Sequence, residues 1–193
     1  FNYLLKEITQ PSWHNYFYLL IAVSLFSWAL EIAFPWRKNQ KLIRKDFWQD
    51  GFYMFFNFFF FSLIAYNALS DVFVELFNSA LTSIGITNLV AIKLYDSPRW
   101  LQFLVMFLVS DFIQWNIHRL LHKFPLLWKF HKIHHSVTQM GFAAHLRFHW
   151  FETIFYKSTL YIPIAMIGFG LKDFFYMHVL TILIGHLNHS NLN

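Results

Sequence analysis

The chain has 193 residues, no cysteine, 57% hydrophobic and 22% aromatic residues, only 13% charged residues and a formal net charge of +5. The length suits one domain, and zero cysteine excludes disulfides, thiolate-held zinc and iron–sulfur clusters from these residues. A soluble domain carries about 25% charged residues, so the composition points to a membrane. The bases flank apolar runs instead of striping a polar surface, so nucleic-acid binding is not expected.

Residues 1–13 are a mixed lead-in with Pro11 and Ser12 as a helix start, and no signal peptide is expected, because the first apolar run is too long and lacks a basic flank. From Tyr16 to Phe34 the chain is apolar except for Ser24, Ser27 and Glu31, enough for one crossing of roughly 30 Å. Pro35 ends it, and Arg37, Lys38, Lys41, Arg44 and Lys45 follow against only Asp46 and Asp50. The positive-inside rule makes that loop cytoplasmic. Phe52 to Leu69 is a second expected span, rich in phenylalanine (Phe55, Phe56, Phe58 to Phe61), which reads as a lipid-facing or packing surface. Residues 71–97 are mixed and lie on the far side or re-enter, with Lys93 as their one base, a break at Gly85 and a helix start at Asp96-Ser97-Pro98.

Trp100 to Trp115 is the third expected span and runs straight into His118. Counting crossings brings His118, Arg119, His122 and Lys123 out on the cytoplasmic side. Pro125 separates a second histidine helix, Trp128 to His135, and residues 145–157 have the pattern of an amphipathic helix lying at the interface. Thr159–Gly170 and Phe174–Ile184 read as a hairpin that dips in and returns, bringing His186 and His189 to the same face. The expected fold is all-α: an integral-membrane bundle of about four spans with a cytoplasmic histidine-rich cap and an interfacial helix, one domain over 1–193 with its catalytic part at about 100–193.

The chemistry sits between His118 and His135. His118 and His122 are one helical turn apart, and His131, His134 and His135 fall at i, i+3 and i+4, so each group shares a helix face. Two such helices side by side aim five imidazoles at one volume, and imidazole suits iron, zinc, copper and nickel. His186 and His189 are further candidate ligands, while His14 and His178 read as structural. One tetrahedral zinc takes four ligands, so two ions are expected, and nitrogen-rich ligation with few acids suits iron and O2 chemistry better than hydrolysis. Asp111, seven residues before His118 and inside an apolar span, is either the carboxylate that orients an imidazole from behind or a helix–helix hydrogen bond. Glu152 and Arg147 either pair near the site or face headgroups. A membrane zinc hydrolase stands as the alternative. A metal transporter is less favoured, because transport needs ionisable groups near the midplane of several spans.

The boxes His118-x-x-x-His122 and His131-x-x-His134-His135 resemble those of the fatty acid hydroxylase and sterol desaturase superfamily of membrane di-iron enzymes. Their surroundings resemble it too: Asp111, Trp115-Asn116-Ile117-His118-Arg119, Trp128, His135-Ser136, Arg147-Phe148-His149 and His189-Ser190-Asn191. The resemblance covers roughly residues 100–193, and it is closer to bacterial sterol-desaturase-like and alkylglycerol monooxygenase-like members than to acyl-CoA desaturases. It implies two iron ions, O2 as co-substrate, and oxidation of an unactivated C–H bond of a membrane lipid (sterol, fatty acyl or ether lipid) to a hydroxyl or a double bond. It also implies an external electron donor of the cytochrome b5, ferredoxin or reductase type, since the chain has no flavin or haem motif. His145, Arg147 and His149 are candidates to support the ligand rings from behind. The family pattern ends in a further HxxHH box, and its absence after His189 makes a C-terminally truncated chain the expectation.

Overall fold

The computed structural model describes residues 9, 10, 16–57, 75, 76, 79–87, 90, 94, 96–169 and 171–193. The α-helices that build the site are α1 (Tyr16–Ala33), α2 (Phe47–Phe55), α3 (Arg99–Lys123), α4 (Pro125–His131), α5 (Trp150–Met166) and α6 (Leu171–His189). Short 3-10 turns occupy His134–Ser136 and Phe142–Leu146. No strand forms among the described residues. A single antiparallel bridge joins Pro35 to Leu192 and pins the end of α1 to the end of α6, with Asn191 bracketing the Arg37 backbone at 3.0 and 3.2 Å.

The expected third span and the first histidine pair form one continuous helix, α3, of 25 residues. Pro98 stands at its N-cap in an extended conformation. At the other end Pro125 bars its predecessor from the helical region, so Phe124 is extended (φ −95°, ψ 121°) and Pro125 opens α4 at its first position. One face of α3 buries Gln102, Met106, Ser110, Ile117 and Leu121. The opposite face leaves Trp100, Leu104, Leu108, Phe112 and Trp115 exposed at near-helical spacing. Met106 packs with Leu160, Ile164, Phe169 and Met177, which joins α3 to α5 and α6. Leu20, Leu146 and Ile182 form a second core between α1, the 142–146 turn and α6.

The structure revises two expectations. Only α3, among the described residues, is long and apolar enough to cross a membrane, with α1 apolar but shorter, so a bundle of four spans is not what these residues display. Most of the second expected span, residues 58–69, lies outside the described residues, as does His14. The expected helix over 145–157 forms only from Trp150 onward. Phe142, Ala143, Ala144 and Leu146 are buried in a 3-10 turn, and the helix begins only at Trp150 and continues to Met166. Its hairpin with α6 is present, turning through Gly168 at φ +85°, a conformation that suits glycine.

The basic loop after α1 is stitched to the segment that carries the later histidines. Buried Asp50 accepts from Arg44 on one oxygen and from Arg147 on the other, with all three side chains out of solvent. Arg147 also reaches the Asp46 carbonyl (3.3 Å) and Ser136 Oγ (3.4 Å). Thr138 donates to Asp46 Oδ2 at 2.9 Å and Gln40 to the Met140 carbonyl at 2.8 Å. The Phe142 amide donates to Glu31 at 2.7 Å. Burial lowers the pKa of both arginines, so their charges persist because acids surround them.

Candidate metal centre

His118 and His122 project from the last turns of α3, His131 ends α4, and His135 stands in the following 3-10 turn. Their ligand nitrogens all lie within 4.8 Å of one another. The Nε2 atoms of His118 and His122 are 3.0 Å apart, those of His122 and His135 3.1 Å, and those of His135 and His131 3.1 Å. His131 is buried, His118 half-buried, and His122 and His135 exposed, so the nest opens on one side. The Trp128 ring edges that side, 5.2 Å from His122 and 5.6 Å from His135.

The expected single face for His131, His134 and His135 is corrected. α4 stops at His131, and Ser136 turns its hydroxyl back to the Ile133 carbonyl (2.7 Å), closing a 3-10 turn in place of a further α turn. The break sends His135 to the first nest. It sends His134 toward α6, where its Nε2 lies 3.1 Å from His189 Nε2. The His189 Nδ1–H donates to the Gly185 carbonyl (2.8 Å), leaving the Nε2 lone pair to face His134. The two groups adjoin, with the His134 ring 5.4 Å from His131 and 5.2 Å from His135.

His131 is the best-anchored ring. Its Nδ1–H donates to Glu152 Oε2 at 2.8 Å with both side chains buried, which fixes the tautomer and turns Nε2 into the nest. This role was expected of Asp111. Asp111 is exposed on α3 and makes no hydrogen bond to an imidazole among the described residues. Glu152 carried a usable signal as the only carboxylate between Asp111 and Asp173. Glu152→Gln should therefore lower metal affinity about 10–100-fold while the helices keep their melting temperature, measured by metal titration alongside circular dichroism.

Burial, then the neighbouring His189, His131 and His135, brings the pKa of His134 down to about 3. The pKa of His135 falls by burial and then by His131, His122 and His189, and that of His145 falls well below the ordinary value, chiefly by burial. These rings are neutral at pH 7 and keep their lone pairs for a metal.

The remaining candidates take other positions. His186 is fully buried, donates Nδ1–H to the Phe142 carbonyl (2.9 Å) and accepts from Ser24 Oγ at Nε2 (3.1 Å). Its Nε2 ties α6 to α1 and its Nδ1 ties α6 to the 142–146 turn, so both nitrogens serve packing and neither faces the nest. Arg147 belongs to the Asp50 network. His149 Nδ1 accepts the Phe151 amide (3.1 Å) at the start of α5, and its ring lies 5.0 Å from that of Phe130. It therefore caps the helix that delivers Glu152. His145 stands beside His189, ring centroids 5.2 Å apart. His178 is half-buried in α6, away from the nest.

Residues 103–193 match the fatty acid hydroxylase family. Among curated proteins, the ornithine lipid hydroxylase OlsE of Rhizobium tropici is 32% identical over 96 residues, which cover 50% of this chain and 29% of that protein. The match thus spans less than a third of its relative's length. No solved structure matches.

Proposed function

We propose that this chain, whose residues 103–193 match the fatty acid hydroxylase family, is the metal-holding part of an O2-dependent, di-iron lipid hydroxylase set at a membrane. The observation that carries the reading is the four-imidazole nest with its neighbouring His134–His189 pair. Neighbouring Nε2 atoms 3.0–3.1 Å apart are close enough to share an ion. The ligand set is nitrogen-rich, which suits iron, and the one carboxylate at the nest, Glu152, holds His131 through Oε2.

His118, His122, His131 and His135 would hold one ion, and His134 and His189 would contribute to a second. Bound iron would supply O2 activation and the redox steps needed to oxidise an unactivated C–H bond, with electrons from an external donor of the cytochrome b5, ferredoxin or reductase type. The protein's part is to present neutral imidazoles in fixed tautomers, with Glu152 holding His131 and the Gly185 carbonyl holding His189. The exposed edge at His122 and His135 is where a substrate carbon would approach. The exposed apolar stripe of α3 supports immersion in lipid, with the histidine end at the cytoplasmic surface of a multi-pass protein. An apolar cavity of 210 Å³ lined by Leu20, Leu25, Trp28, Met54, Phe142 and Ile182 has the character of a hydrocarbon site.

Polar acyl lipids are the first class to test, given the relative named for ornithine lipid. The full-length gene product, reconstituted with iron and an electron donor, should insert one atom of 18O2 into a lipid chain, read by mass spectrometry. Equal turnover with zinc in place of iron, or without O2, would replace this reading with a metallohydrolase.

A further inference from the structure

We infer that Trp128 is a positioning residue of the nest, its indole holding His122 and His135 in place as Glu152 holds His131. The inference rests on the metal-centre reading above. A metal-binding imidazole is ordinarily oriented by a hydrogen bond from its second nitrogen. Glu152 serves His131 in this way, and the Gly185 carbonyl serves His189. His122 and His135 have no such acceptor among the described residues. Their hydrogen-bond contacts, at 3.0–3.1 Å, run only to other rings of the nest. Both rings are exposed, and they come from different elements, α3 and the turn after α4. Something outside the histidines has to set them against each other.

Trp128 is the one aromatic ring outside the histidines that pairs with both. Its centroid lies 5.2 Å from that of His122 and 5.6 Å from that of His135, at interplanar angles of 38° and 34°, inside the range of roughly 4.5–7 Å in which aromatic pairs attract. A third contact reaches His131 at 6.0 Å. Among the described residues its ring pairs with these three imidazoles alone, and Trp128 belongs to neither hydrophobic core. Pro125 opens α4 so that it packs back on α3, and Trp128 sits three residues before His131 on the same helix face. An indole has only two side-chain torsions, so the brace is stiff. It also favours the loaded nest over the empty one. An imidazole that donates to a cation becomes electron-poor, and the indole face is the aromatic surface that attracts positive charge most strongly.

The test reads affinity and coordination, not turnover. Full-length protein in detergent is titrated anaerobically with Fe2+, and separately with Co2+, whose visible spectrum reports ligand geometry. Trp128→Leu keeps an apolar, helix-compatible side chain and removes the ring. It should bind the ion that His122→Ala abolishes about 10–100-fold more weakly, with an altered Co2+ spectrum and an unchanged melting temperature of the metal-free protein. Trp128→Phe restores a ring without the indole N–H and should recover most of the affinity and the wild-type spectrum. Trp115→Leu makes the same change on the exposed face of α3, where the ring pairs with Phe112 and Arg119, and should move neither readout. Wild-type affinity and spectrum in Trp128→Leu, a Phe variant as weak as the Leu one, or an equal loss in Trp115→Leu would each overturn the inference and leave the metal centre standing. A wild type with no ion sensitive to His122→Ala would overturn the metal centre itself.

Discussion

His122→Ala is expected to empty the four-imidazole nest and stop lipid oxidation, with a loss of at least about 100-fold in product, while the helices stay folded. His122 is exposed near the end of α3, and its described partners are the rings around the nest: His118 at 3.0 Å, His135 at 3.1 Å and the face of Trp128. No backbone group or buried polar atom depends on it, so alanine costs little in stability, consistent with surface substitutions lying within about 0.5 kcal/mol. It does remove the ring that stands between His118 and His135 in the run of close nitrogens. Three imidazoles would hold an ion less tightly, and in the proposed hydroxylase that ion would be the redox agent. The measurement pairs iron content and 18O-labelled lipid product with a thermal melt in detergent. Oxidation that survives with the nest depleted would place the chemistry elsewhere and remove the metal assignment.

The separation of His122 from His186 shows where sequence reading stops. The five clustered histidines are legible because helical spacing is local: His118 and His122 need only one turn of α3, and that helix forms as expected. His134 and His135 are adjacent in the chain yet serve different groups, because a seven-residue helix is too short to impose its own register. Partners far away in sequence decide its end: Glu152 for His131, His189 for His134. His186 sits three residues before His189 on α6 and looks equivalent to it. Only the packing of α1, which brings Ser24 against its Nε2 across 162 positions, shows that nitrogen serving the fold. The helix expected over 145–157 starts late, at Trp150, for the same reason. Its apolar positions read as one lipid-facing stripe, but the 142–146 turn is buried against α1 and α6, and Arg147 is taken up by an acid 97 residues earlier. The family match over 103–193 contains the histidine boxes. The Arg44–Asp50–Arg147 network that frames them joins the other half of the chain.

That network carries the second large expected effect. Asp50→Ala should destabilise the protein by about 3–5 kcal/mol, the range for removing one partner of a buried ionic group, against a total stability of about 5–15 kcal/mol. Asp50 is fully buried, and its two oxygens serve two guanidinium groups that are themselves out of solvent. Removing the carboxylate takes away the partner both guanidinium groups share; Asp46 Oδ2 remains 3.8 Å from Arg147, and the Arg147 contacts to Ser136 Oγ and the Asp46 carbonyl at 3.3–3.4 Å are too long to compensate. The pair of exposed Arg99 and half-buried Asp173, at 3.8 Å, supplies the contrast: Arg99→Ala should change stability by under about 1 kcal/mol and do so in a salt-dependent way. The damage should also reach the metal. Arg147 ties Asp50 and the loop after α1 to Ser136, next to His135, and lies two residues from His145, so amide exchange over 136–147 should quicken and iron should bind more weakly in Asp50→Ala. Exchange confined to the 36–50 loop, with an unchanged melting temperature and metal content, would mean that the buried network braces only the loop and leaves the histidine cap to stand without it.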